Sequence, residues 1–422
     1  MVTSHESDHS VARFDVILSG GGLVGLTLGV ALADAGLEVA IVDRLDPATV
    51  VDEPFDGRAS AIARGSQHVL AATGVWAQAA EEAAPIYDIR VSDGRIGRRP
   101  SRLFVHFDAD EFAEGPMGWI IENRMLRRAL HARAHALPSL TLIAPASLDR
   151  AERRDEGVIA SLSDGRKLHA SLLVAAEGRN SPLRKSAGIP VTTWDYPQSG
   201  IVCTIYHAHD HAGTAHEHFL PSGPFAVLPL PDDEKGRHRS SIVWTEKRDL
   251  VPGFMALDDH AFAAEIQRRF GYGLGEIKVE GYRWSYPLSL MHAERYYDRR
   301  LVLVGDAAHG IHPIAGQGFN LGVRDVAALA ECIVDAQRLG LDLGSDPVLA
   351  RYQRWRRFDN VVMLATTDGL NRLFSNDLPP IRLARDLGMG LVNRFSPARR
   401  FFMRHAMGLV GDLPRLVRGE RL

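Results

Sequence analysis

The chain opens on an almost continuous apolar run at residues 14–19. A glycine cluster follows at 20–25, then an Ala/Leu-rich stretch ending near Gly36, and a second apolar run at 38–42. Short apolar runs bounded by turn signals read as buried strands and the longer stretch as a helix, so this is a β-α-β unit. Residues 158–163 and 167–170 flank Asp164-Gly165, a dipeptide suited to a tight hairpin turn. That hairpin leads into 172–176, apolar enough for a strand covered on both faces, which closes with Glu177-Gly178. From about Pro190 to Tyr286 the pattern changes to runs such as 201–206, 226–230 and 241–244, with one amphipathic helix near 260–270. This predicts a separate antiparallel sheet with a helix. A buried strand returns at 301–304, followed by Gly305-Asp306 and a long helix from about 318 to 339. Beyond Asp346 the pattern is helical and rich in arginine, with Pro379-Pro380 as a break and no internal repeat.

Length and composition narrow the function classes. With 422 residues, 45% of them hydrophobic, the chain can bury a large core and divides into two or three structural units. The 49 basic and 52 acidic side chains are too evenly balanced for a nucleic-acid binder. Only Cys203 and Cys332 are present, so neither a disulfide framework nor a zinc site is expected, and a reducing, cytoplasmic setting fits. Residues 1–11 are polar where a signal peptide needs an apolar run. No apolar stretch reaches the roughly 20 residues that a membrane span requires.

Two motifs carry the chemistry. Gly20-Gly21-Gly22-Leu23-Val24-Gly25 matches G-x-G-x-x-G between strand and helix, with Asp43 closing the next strand about twenty residues on. Gly20 permits the turn, Gly22 lets a pyrophosphate approach the backbone, and Gly25 lets helix and strand pack closely. The phosphates sit on the helix N-terminus while Asp43 accepts from a ribose. This fingerprint alone does not separate NAD from FAD. The second motif runs from Leu301 through Gly305-Asp306-Ala307-Ala308-His309 and His312-Pro313 to Gly316-Gln317-Gly318-Phe319-Asn320. An acid at a strand end, then a glycine-lined helix start, suits a sugar-like chain beside negative charge.

These residues resemble the second FAD motif of the class A flavoprotein monooxygenases. The segment from Ala315 to Gly322 is similar in particular to the ubiquinone-biosynthesis hydroxylases. The resemblance covers Phe14 to at least Arg357 and is weakest between Pro190 and Tyr286. It implies that Asp306 bonds the ribityl hydroxyls, that Pro313 lies near the isoalloxazine, and that backbone groups of Gly316, Gln317, Gly318, Phe319 and Asn320 hold the pyrimidine edge. Asp56 to Ala61 and Glu122-Asn123-Arg124 match two further family segments, where Arg58 and Arg124 approach phosphate or flavin; a surface ion pair is the plainer reading of each. Arg44, beside Asp43, belongs to the same cofactor-binding set. Where the family has Asp-Gly, this chain has Glu177-Gly178, so the carboxylate lies one methylene further out. A structural role is carried over to it.

The implied fold is α/β and p-hydroxybenzoate-hydroxylase-like. A Rossmann-type FAD-binding domain spans 1–75, 100–185 and 285–345, an inserted antiparallel sheet-and-helix substrate domain spans 76–99 and 186–284, and 346–422 form a C-terminal helical region. The implied reaction uses NAD(P)H and O2 to hydroxylate an aromatic ring through a flavin C4a-hydroperoxide. The implied substrate is a polyprenylated phenol or quinol. No side chain stands out as an obligatory acid or base. A flavoprotein hydroxylase of another aromatic compound, and an FAD-binding assembly protein without turnover, are the alternatives; Glu177 keeps the second alive.

Two further signals remain. His207, His209, His211, His216 and His218 invite a metal reading, but no cysteine or carboxylate completes an ordered shell, so a solvated hairpin is expected and no metal. The arginine-rich C-terminal segment, with Phe395, Phe401, Phe402 and Met403 among its arginines, suits an anionic membrane surface at the inner face of the membrane or a biosynthetic complex. Packing on the first domain suits it equally.

Overall fold

The computed structural model describes residues 12–51, 57–97, 104–111, 115–312, 316–375 and 388–422. Asp56, Pro313, Ala315, Pro379-Pro380, Arg382 and Arg385 fall outside them. Strand Ala12–Ser19 lies at the centre of a parallel sheet, between Val39–Val42 and Lys167–Ala175. Leu140–Ile143 and Leu301–Leu303 extend the parallel set on either side. Val16, Ile17 and Leu18 are wholly buried, as the continuous apolar run requires of a strand covered on both faces. Helix Leu23–Asp34 is buried over consecutive residues 25–33, which explains why its sequence is apolar all round. It packs against helix Gln317–Arg338, and Gly322 makes the approach possible: a Cβ there would lie 2.6 Å from Val24 Cγ2. The hairpin at Asp164-Gly165 joins Val158–Leu162 to Lys167–Ala175 in antiparallel register.

A second sheet of eight strands carries the inserted region. Its order is His309–Gly310, Ile277–Ala293, Val191–His207, Arg239–Lys247, Gly223–Leu230, Thr214–Leu220, Asp88–Asp93 and Phe104–Asp108. One pairing departs from the antiparallel expectation: Thr214–Leu220 runs parallel to Asp88–Asp93. The sheet also draws strands from beyond 190–286, because Ile277–Ala293 continues past Tyr286 and Phe104–Asp108 pairs onto Asp88–Asp93. Helix Asp259–Phe270, capped by the Asp258 side chain on Ala261 N–H at 2.7 Å, packs Phe262 and Ile266 into this sheet's own core. A third, three-stranded sheet (Ala59–Ala63, Gly118–Glu122, Ala83–Ile86) was not legible in the pattern.

The expected solvated hairpin of histidines is corrected. His207 and His218 are buried, with His207 bonded to His209 O and Ser240 Oγ, and His218 to Ser92 Oγ at 2.6 Å. Burial pulls His216 down to about 3 and His218 to about 4, so both rings are neutral. His216 and His218 pack against the Phe270 ring, His211 and His216 are half-buried, and of the five only His209 is exposed.

Beneath the turn Gly305–Ala307 lies a buried charge network. Asp325, fully buried on helix Gln317–Arg338, accepts from Gly305 N–H at 3.0 Å, and the same Oδ2 lies 2.5 Å from His309 Nε2. Its Oδ1 accepts from Arg356 Nε at 2.9 Å and Asn360 Nδ2 at 3.2 Å. Arg356 and Asn360 belong to the long helix Asp346–Phe374, which is thereby fastened to the strand-turn-helix below it. Burial pushes the Asp325 carboxyl up, but the charges and hydrogen bonds of His309 and Arg356 outweigh it and hold it at about 2.

Removing this carboxylate strands a buried guanidinium. Asp325→Ala is expected to lose about 3–5 kcal/mol in urea unfolding. A depressed carboxyl contributes fully above its unfolded value near 4 and loses that contribution as pH falls through its folded value. Wild type and variant therefore converge between about pH 4 and about pH 2. A loss under about 1 kcal/mol at pH 7 would show that the network does not support the fold.

Candidate active site

The first glycine loop closes the end of the central strand. Gly20 holds φ +107°, and a Cβ there would meet Ala176 O at 2.5 Å; a Cβ on Gly25 would lie 2.0 Å from Gly20 O. Both positions therefore admit only glycine. At Gly22 a Cβ would meet nothing within 4 Å, so the backbone there faces open space. Helix Leu23–Asp34 begins at Gly22 with no side-chain cap, leaving its first N–H groups directed into that space. Asp43, half-buried at the end of Val39–Val42, accepts from Gly21 N–H at 2.5 Å and Leu45 N–H at 2.8 Å. Arg44 beside it is exposed.

The second loop repeats the arrangement. Asp306 is exposed at the end of strand Leu301–Leu303, on the turn that Asp325 holds from below. Helix Gln317–Arg338 starts at Gly316, which has φ +61° and whose Cβ would lie 2.7 Å from Ala61 Cβ; the helix has no side-chain cap, and Gly318 faces open space. The Asn320 side chain is not turned to a ligand. Its Oδ1 accepts from Ala63 N–H at 2.9 Å, and its Nδ2 donates to Ala61 O at 2.9 Å and Gly316 O at 3.1 Å, riveting the three-stranded sheet to this helix start. Phe319 packs against the parallel-sheet core. Two uncapped helix starts with open space before their backbones, and exposed or half-buried acids at neighbouring strand ends, fit a dinucleotide that carries a flavin.

Glu177 proves structural. Its Oε1 accepts from Ser19 Oγ at 2.7 Å, while Oε2 accepts from Ser181 Oγ at 2.6 Å and Leu183 N–H at 3.1 Å. The extra methylene lets one carboxylate join the central strand to the start of helix Pro182–Ser186. Arg124 donates through Nε to Glu122 at 2.7 Å, and Arg239 meets the other oxygen of that carboxylate at 2.8 Å. The ion-pair reading of Arg124 thus describes its geometry. Arg58 lies 5.9 Å from the Trp284 ring and lines the cavity described next.

That cavity encloses about 560 Å³ between the second sheet, the three-stranded sheet and the C-terminal helices. Gly316, Gln317 and Asn320 form one part of its wall, so it opens against the second loop. The rest is overwhelmingly apolar, with Phe107, Ile120 and Leu228 from the sheets and Met389, Phe402, Met403 and Met407 from the C-terminal segment. The C-terminal helix Ser396–Ala406 therefore does not sit on the parallel sheet with its apolar side covered there. It inserts Met403 into the cluster of Ile86, Met117, Ile120 and Leu230. Leu416 and Val417, further on, do join the parallel-sheet core. Sequence reasoning missed the Asp325 network and the ionisable group inside this cavity. The available signal was an acid on the apolar face of a helix in the first case and an acid in an apolar strand in the second.

Comparison with known proteins agrees with this geometry. Residues 13–357 match the FAD binding domain family. The ubiquinone hydroxylase UbiL of Rhodospirillum rubrum is 52% identical over 411 residues, covering 97% of this chain and 93% of that protein. The 3-demethoxyubiquinol 3-hydroxylase of Escherichia coli is 36% identical, covering 94% and 98%. The crystal structure of p-nitrophenol 4-monooxygenase PnpA from Pseudomonas putida shares the fold at TM-score 0.77 with 19% identity, covering 95% of this chain and 99% of that one. The chain belongs to the FAD binding domain family, as an FAD-dependent monooxygenase related to the hydroxylases of ubiquinone biosynthesis.

Proposed function

We propose that the chain hydroxylates the ring of a polyprenylated phenol or quinol in ubiquinone biosynthesis. One atom of O2 enters the ring, the other leaves as water, and NAD(P)H supplies the electrons. The observation that carries the substrate class is the cavity, which is apolar, encloses about 560 Å³ and is walled at one part by the second glycine loop. An isoprenoid chain gains from transfer into such a lining at about 25 cal/mol per Å² of apolar surface. When bound, FAD supplies hydride acceptance and O2 activation. The residues of the chain bind and orient it: the backbone at Gly20, Gly22 and Gly25 faces the pyrophosphate, Asp43 with Arg44 the adenosine ribose side, and Asp306 the ribityl chain. Pro313 and the backbone from Gly316 through Gln317, Gly318 and Phe319 to Asn320 frame the flavin ring, with Arg58 and Arg124 on its approach. The apolar cavity excludes water from the reacting ring.

The C-terminal segment has a second part in this reading. The helices that wall the cavity also expose Leu391, Phe395 and Phe401, at 69%, 58% and 59%, among Arg394, Arg400 and Arg404. An apolar face rimmed by arginine suits an anionic lipid surface, from which a prenylated substrate would enter. Among the described residues no helix is long and apolar enough to cross a membrane.

Purified chain should carry flavin, oxidise NAD(P)H faster when a short-chain polyprenylphenol is added under air, and yield a product with one more oxygen atom. Bound flavin without any such product would overturn the substrate reading. Gly25→Val, which drives a side chain into Gly20 O, is expected to abolish flavin retention; an unchanged flavin content would remove the first loop from the cofactor site. In flotation with anionic vesicles, Phe395→Ser combined with Phe401→Ser should lower recovery several-fold, and equal recovery would sink the membrane role.

A further inference from the structure

The second sheet turns one face to the cavity, and its registers define a single transverse row on that face. Val202, Val243, Ala226, Glu217, Val91 and Val105 lie side by side across six strands, and all six line the cavity. Five are valine or alanine. Glu217 is the one acid in the row, and the one acid in the cavity lining among the described residues. Along its own strand Ala215 and Phe219 share its face by alternation. Ala215 belongs to the apolar cluster with Met403 and Met407, packed against Ala61 beside Gly316, and Phe219 to the cluster with Phe374 and Met389. The carboxyl thus stands between the part of the apolar lining nearest the second glycine loop and the part packed on Phe374 and Met389.

Glu217 is half-buried in this lining. Among the described residues no donor or cation meets the Glu217 carboxyl. The ionisable groups on the packed elements are directed elsewhere or lie at other parts of the wall. His216 and His218 meet the Phe270 ring edge to face, and Arg90 on the paired strand is exposed. Arg58 and Tyr286 line the wall on other elements, while the C-terminal helices and helix Asp346–Phe374 present Met389, Val392, Leu370 and Phe374. Burial is the one cause acting on the group and pushes it up to about 7. A carboxyl kept in an apolar lining without a partner is costly unless a ligand group completes it.

We propose that Glu217 binds the ring hydroxyl of the substrate and accepts its proton as the ring is oxygenated, an assignment that rests on the cavity being the substrate site. The phenolic O–H bond breaks, its proton passes to a Glu217 oxygen, and the electron pair moves into the ring as the ring carbon bonds the electrophilic oxygen supplied by the established reaction. The ring carbon then loses its C–H proton, which leaves with the second oxygen atom as water, aromaticity returns, and Glu217 gives its proton back to the ring oxygen. A base with a value near working pH is suited to both transfers.

The test uses the flavin-containing full chain and Glu217→Gln, which keeps the shape and removes the ionisation; flavin content and thermal unfolding check the fold. A 4-alkyl-2-nitrophenol, whose phenolate is coloured, is bound and titrated by difference absorbance. In the wild type the carboxylate accepts from the phenol and repels its phenolate, so the bound probe should ionise at least about one pH unit higher than in E217Q. With polyprenylphenol, wild-type kcat should fall as pH drops through about 7, and E217Q should lose that limb with kcat lowered about 10²-fold or more, partly restored in Glu217→Asp. Coincident probe titrations in the two proteins, alongside normal wild-type turnover, would overturn the assignment. A shifted probe with no turnover of any polyprenylphenol would instead overturn the substrate reading and leave Glu217 as the hydroxyl acceptor of another phenol.

Discussion

The structure depends on one buried carboxylate. Asp325 accepts from the Gly305 backbone, from His309 and from Arg356, and through these it fixes a turn, a short strand and a long helix to the helix that carries it. A charge with no solvent around it is tolerated only because each oxygen is met by donors on both sides. The consequence is geometric. The turn that presents Asp306 and the helix that starts at Gly316 cannot move apart without breaking ionic hydrogen bonds in a dry core, so the second loop is held rigid from beneath.

Much of this was legible where the physics is local. The strand at 12–19, the glycine turn and the helix after it follow from period and from backbone room, and a Cβ at Gly25 colliding with Gly20 O is the steric fact behind the fingerprint. The hairpin at Asp164-Gly165 and helix Asp259–Phe270 were legible for the same reason. What failed was long-range. The three-stranded sheet pairs residues from 32 (Ile86 with Gly118) to 63 (Ala59 with Glu122) apart through strands of four or five residues that carry too little pattern to announce themselves. The histidines at 207–218 looked solvated by composition, yet alternation along two strands of the second sheet buries two of them. Asp325 gave one weak sign, an acid on an apolar helical face, and its partners are 16 and 31 residues away.

Glu177 shows how a departure from a family pattern is resolved by geometry. A longer side chain might be expected to misplace its charge, but the added methylene lets the carboxylate span from Ser19 to Ser181 and Leu183. It joins the strand that leads into the first loop to the start of helix Pro182–Ser186. The residue that departs from the family pattern is thus engaged in joining two elements of the fold.

The two halves of the site answer opposite demands. The nucleotide side is set by close approaches at Gly20, Gly25 and Gly316, where an added methyl group has no room. The cavity side is lined by Met117, Met389, Met403 and Met407, four of the nine methionines in the chain. Methionine fills irregular space with little torsional cost and repacks around a changing surface. A flexible isoprenoid chain has many conformers of similar energy, and an adaptable wall admits it without selecting one. Specificity must then come from the polar end of the substrate. In a lining this apolar, a single carboxyl in a row of valine and alanine is enough to decide which end of the molecule, and which ring oxygen, comes to rest beside it.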